Sequence, residues 1–139
     1  MNELVDSLCS TSVSLAKASR FTLAQTVMKK LIAALSKKSG PSNDQLFPVY
    51  QSLGEIDYSA GDFVGAEQNF RLAFDIFKRH DTEMQYLTRY GDNYMKVLKN
   101  NRKLAEYERL KNLQYDVSRI KAADALVITR KVRRNNRLN

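Results

Sequence analysis

A single cysteine, Cys9, is all the thiol chemistry in this 139-residue chain, which excludes an intramolecular disulfide and a cysteine-based metal cluster. Tryptophan is absent and His80 is the only histidine, so no His/Cys grouping at metal-ligand spacing can be drawn. Glycine and proline number five and two, which leaves long stretches free of helix breakers. Neither a phosphate-cradling glycine loop nor a nucleophile elbow occurs. No apolar run approaches the roughly 18 residues a membrane helix needs. At the first residues, Glu3 and Asp6 interrupt Leu4, Val5 and Leu8, so no secretory leader or arginine-rich transit helix is read there. Glu55 with Asp57, or Asp62 with Glu67, could be drawn as acid–base pairs, but nothing in the sequence marks them as desolvated, and solvated carboxylates are expected. The expectation is a non-enzymatic protein with no catalytic residues, no cofactor, no metal and no membrane partner, in the cytoplasm, with the nucleus as the alternative compartment.

What is present is ordinary globular composition, 43% apolar and 27% charged, in a length that suits one domain. The net charge of +8 is uneven: residues 1–46 carry +3, 47–80 carry −2, 81–116 carry +1 and 117–139 carry +6. The body is close to neutral and the basic excess sits at the C-terminus. Helical periodicity runs through Leu4, Leu8 and Leu15, then through Leu23, Val27, Met28, Leu31 and Leu35. Ser39-Gly40-Pro41-Ser42-Asn43 is the clearest break, with Asn43 or Asp44 expected to cap the next helix and Pro48 to fall in its first turn. The pattern predicts helix pairs over about 3–38, 44–79 and 83–115, a seventh helix over 117–130, and an unpacked basic tail over 131–139.

The chain also repeats itself. Phe21, Ala24, Met28 and Leu31 return as Phe63, Ala66, Phe70 and Ala73, each pair 42 residues apart, and Ser12 stands 42 residues before Gly54. A period of this size indicates stacked helical pairs, each burying its apolar stripe against the next. Gly54 and Ala66 are small because two helices cross there, and Gly61 sits where a turn needs positive φ. The third pair is degenerate, its best register placing Ala105, 39 residues after Ala66, at the equivalent position.

The run Tyr50-x-x-Leu53-Gly54-x-x-x-Tyr58-x-x-Gly61-Asp62-Phe63-x-x-Ala66-Glu67-x-x-Phe70-x-x-Ala73-Phe74 resembles a tetratricopeptide repeat, and the 42-residue spacing with Gly40-Pro41 is similar to the longer repeats of kinesin light chains. The resemblance implies an all-α, right-handed superhelix of about three helix pairs plus a C-terminal helix, residues 1–129 forming the repeat domain. It implies a concave face lined by the first helix of each pair, exposing Cys9, Val13, Ala16 and Lys17, then Gln51, Glu55, Tyr58 and Ser59. Val13, Lys17, Gln51, Glu55, Tyr58 and Ser59 are the candidate partner groove. Gln51 and Glu55 depart from the lysine and asparagine clamp with which chaperone-tail receptors hold a carboxylate.

Tyr86, Tyr90 and Tyr94 follow helical spacing and are expected to pack between elements, not to stack on bases. Arg130, Lys131, Arg133, Arg134 and Arg137 are candidates for phosphates or an acidic surface. The reading as a whole is a protein-interaction adaptor or scaffold for a peptide or partner helix, within a larger assembly or alone. The competing class is a nucleic-acid or ribosome-associated factor acting through the basic end. The stripe of Val117, Ile120 and Val127 is expected to cap the last pair, with homo-oligomerisation as its alternative use.

Overall fold

The protein is described by a computed structural model over residues 3–41 and 43–138, the side chains of Val117 and Leu138 excepted. Among the described residues there are six helices: α1 (Glu3–Lys17), α2 (Phe21–Ser39), α3 (Leu46–Ser59), α4 (Phe63–Phe77), α5 (Glu83–Asn100) and α6 (Leu104–Leu138). No strand occurs among the described residues. Each helix packs against the next in the chain, and the odd helices also touch one another in turn, α1 against α3 and α3 against α5.

The three hairpins turn in the same way. Leu15, Asp57 and Leu98 each offer a carbonyl to an amide five residues on, from Arg20 (2.8 Å), Asp62 (2.9 Å) and Lys103 (2.9 Å). The residue before each donor takes a left-handed conformation: Ser19 (φ 62°), Gly61 (φ 79°) and Arg102 (φ 59°). That residue reverses the chain and lets the helix end satisfy its last carbonyls. Ser19 and Gly61 are 42 residues apart, and Arg102 follows Gly61 by 41. The register expected for the third pair is therefore corrected. Tyr107 donates to Lys103 as Ala66 does to Asp62 and Ala24 to Arg20, so Tyr107, not Ala105, is the equivalent residue.

The same offset makes Met95 the counterpart of Gly54, and here packing explains why the third pair escapes the sequence pattern. Ala24 and Ala66 are fully buried, and a Cβ added at Gly54 would lie 2.6 Å from the Phe70 ring. The first two hairpins thus cross closely through small residues. Met95 and the half-buried Tyr107 fill the corresponding places in the third. Ser12, the counterpart of Gly54 in the first hairpin, is fully buried with its hydroxyl lacking a hydrogen-bond partner.

Two apolar clusters form the interior, one joining α1, α2 and α3 with Ile76 of α4 and the other joining α4, α5 and the start of α6. Phe47 borders both, 5.3 Å from the Phe77 ring and 5.1 Å from that of Tyr90. Tyr86 and Tyr94 are fully buried against Phe74 and Phe70, the packing role their spacing predicts, while Tyr90 lies at the rim. Asn43 ties the loop after α2 by donating to Gly40 O (2.7 Å) and Leu35 O (3.2 Å), and α3 begins at Leu46 with Pro48 in its first turn. Thr82 and Gln85 form a reciprocal capping box at the start of α5.

The C-terminal region differs from expectation. No break separates residues 115 and 117; a single helix of 35 residues replaces the sixth and seventh helices and runs on through the segment expected as an unpacked tail. No glycine or proline lies between Leu104 and Leu138, and the alanines, leucines, lysines and arginines there favour continuation. Nor does its distal half cap the last pair: Ile120 is 55% exposed and Val127 49%. Val117 falls outside the described side chains.

Candidate partner groove

The first helix of each hairpin contributes one wall of a shallow cleft. Val13, Ala16 and Lys17 come from α1, Glu55, Ile56 and Ser59 from α3, and Asn93 from α5, enclosing about 170 Å³. A second hollow of about 330 Å³ adjoins it along α1 and α3, lined by Cys9, Ser10, Val13, Ser14, Lys17 and Ser52. Val13 and Lys17 belong to both, so the two form one groove along the odd helices. These residues share a face because they recur at three- and four-residue intervals on α1 (Val13, Ala16, Lys17) and α3 (Ser52, Glu55, Ile56, Ser59).

Four of the expected groove residues, Val13, Lys17, Glu55 and Ser59, line this surface together. Two do not. Gln51 is buried as a clasp between α3 and α5: its Oε1 accepts from Tyr86 Oη at 2.7 Å and its Nε2 donates to Tyr90 O at 3.2 Å. Tyr58 is half-buried with its ring 5.6 Å from Phe63, packing α3 against α4. Cys9 and Ala16 border the groove but are themselves buried. Asn93 was missed because the third pair, though placed at about 83–115, lacked the repeat pattern that pointed to groove positions on α1 and α3.

The groove carries charge of both signs. Burial is the main cause that raises the Glu55 pKa, opposed by a hydrogen bond from the Gln51 side chain and by the charge of Lys17. Burial also raises the Cys9 thiol, which Ser52 partly offsets and Asp6 reinforces. The surface therefore offers a cation, a carboxylate with reduced hydration, an amide and hydroxyls around an apolar floor of Val13, Ala16 and Ile56.

Asp57, two residues after Glu55, points elsewhere and is structural. Its Oδ1 accepts from Gln25 Nε2 and its Oδ2 from Asn69 Nδ2, both at 2.8 Å, tying α2 and α4 to α3. Burial raises its pKa while these two amides lower it. Glu55 and Asp57 are thus both partly desolvated, which their sequence context does not announce. Asp62 caps α4 through Gly65 N (2.9 Å), and Glu67 pairs with Arg71 (3.1 Å). His80 Nε2 lies 2.8 Å from Asp44 Oδ2 at the surface.

The basic candidates Arg130, Lys131, Arg133, Arg134 and Arg137 all lie exposed on α6, away from this groove. Among the described residues, no group of three His, Cys, Asp or Glu is placed to hold a metal ion, and no helix is long and apolar enough to cross a membrane. Compared with protein-family models, with curated proteins and with solved structures, the chain matches none, so what the groove takes must be argued from its own side chains.

Proposed function

We propose that this chain is a tetratricopeptide-like adaptor that captures an extended peptide or partner helix in the groove along α1, α3 and α5. The observation that carries the reading is the convergence of Val13, Lys17, Glu55, Ser59 and Asn93, drawn from three hairpins, on one continuous surface. Three hairpins with one turn geometry, at offsets of 42 and 41 residues, support the repeat character. The groove's two adjoining hollows, about 170 Å³ and about 330 Å³, share Val13 and Lys17, so that successive groups of an extended segment can be met along α1 and α3. The smaller suits one apolar side chain of a peptide, seated on Val13 and Ile56, with polar backbone or side-chain groups meeting Lys17, Glu55 and Asn93.

A peptide-display selection against the intact chain tests this, with a Val13→Asp/Glu55→Arg double variant as the counter-target. Peptides that bind the native chain and lose at least about tenfold in affinity for the variant, a difference of about 1.4 kcal/mol, support the groove. Selected peptides that bind both equally would place recognition on another surface.

A further inference from the structure

From Ser118 to Arg137, α6 runs as an exposed helix about 29 Å long at 1.5 Å per residue, with Ser118 and Lys121 bordering a hollow against α5 and the residues beyond them projecting past it. Residues 117–139 hold seven basic residues against the single acid Asp124, a net charge of +6. At about 100° per residue, Arg119, Arg130, Arg133, Arg134 and Arg137 fall within an arc of about 100° on one side of this helix. None of the five forms an ion pair among the described residues, whereas Arg71 and Arg109 in the packed part of the molecule are matched to carboxylates. Arg130 and Arg134, like Arg133 and Arg137, are one helical turn apart, about 6 Å along the axis.

We infer that the free half of α6 binds double-stranded DNA through the phosphate backbone, with this arginine face against the walls of the major groove. The inference is independent of the peptide groove, because the two surfaces share no residue. A second copy of the chain is disfavoured as the occupant, since pairing two such helices brings +6 against +6. A lipid surface is disfavoured because the far side of the helix is not continuously apolar. There Ile120, Val127, Ile128 and Val132 alternate around the circumference with Lys121, Asp124 and Lys131, which insertion would bury. Among nucleic acids the B-form major groove, about 12 Å wide, admits a helix of about 10–12 Å diameter, and the deep, narrow A-form groove of duplex RNA does not. Guanidinium groups match phosphate with paired hydrogen bonds, and five of the seven basic residues are arginine.

The test titrates the full chain against a fluorescent 20-base-pair DNA duplex, the same sequence as duplex RNA, and phosphatidylserine vesicles, each at two salt concentrations. DNA should bind tightest, and with about four phosphates neutralised its affinity should fall about 100-fold between about 50 and about 200 mM salt. Replacing Arg130, Arg133, Arg134 and Arg137 by Gln should abolish binding, and replacing the same four by Lys should retain most of it, with circular dichroism confirming that the helix persists in both. Replacing Lys29, Lys30, Lys37 and Lys38 on α2 by Gln removes equal charge elsewhere and should leave DNA binding unchanged. An equal loss in the α2 variant, tighter binding to RNA or vesicles, or no DNA binding at the lower salt would each overturn the inference.

Discussion

A methyl group added at Gly54 would meet the Phe70 ring at 2.6 Å, closer than carbon atoms approach without displacement. Gly54→Ala should therefore cost about 1–3 kcal/mol in urea unfolding through overpacking, and a second substitution, Phe70→Leu, should recover part of the loss. An unchanged midpoint would mean that the crossing is looser than described. Asp57 makes a different kind of demand. Burial raises its pKa even though two amides hold its oxygens, so the folded chain binds the proton more tightly than the unfolded one. Its contribution to stability is then greatest with the carboxyl protonated and falls as pH rises from the ordinary carboxylate range through the raised value. Asp57→Asn removes that fall, so the difference in unfolding free energy should move in favour of the variant between about pH 4 and about pH 7. Parallel stability curves would contradict the assignment. The role of Gly54 can be read from its 42-residue spacing to Ser12, but the buried state of Asp57 cannot. Its desolvation depends on Gln25 and Asn69, contributed by two other helices.

Between elements, the junction of α3 and α5 rests on one polar clasp within an aromatic cluster. Tyr86→Phe would leave Gln51 Oε1 without its donor in the interior, and a loss of about 1–3 kcal/mol in chemical unfolding is expected. A neutral substitution would show that water or a rearranged Gln51 amide replaces the hydroxyl. The distal half of α6 should behave in the opposite way. Deleting residues 118–139 should lower the helical circular dichroism signal but leave the melting temperature of the body unchanged, because the exposed Ile120, Val127 and Val132 add nothing to the core. A drop of several degrees would restore the capping role expected from the apolar stripe. That expectation failed for an identifiable reason: Ile120 and Val127 have the right period for a buried face, but periodicity does not reveal whether a neighbour exists to cover it. Boundaries set by breakers fared better. Gly40 and Gly61 end helices through positive φ and Asp62 begins one through its own side-chain cap, so these boundaries are legible locally. Arg102 performs the same turn as Gly61 with no glycine to betray it, and the third hairpin's register was lost with it.

At the scale of the molecule, repetition brings distant residues onto one face. Lys17 and Glu55 were legible as neighbours because the 42-residue offset stacks α1 on α3, and the contacts of α1 with α3 and of α3 with α5 continue that row. Gln51 and Tyr58 were misplaced because helical position specifies a direction without specifying what packs there; Tyr86 on α5 took up one and Phe63 on α4 the other. The proposed adaptor role depends on the odd helices presenting their shared surface to a partner while the even helices support it. The most direct test is amide NMR of the labelled chain titrated with a display-selected peptide. The account predicts saturable shifts centred on Val13, Lys17, Glu55, Ser59 and Asn93, with α2 and α4 largely silent. Shifts centred on α2 and α4, with those five residues unmoved, would contradict it.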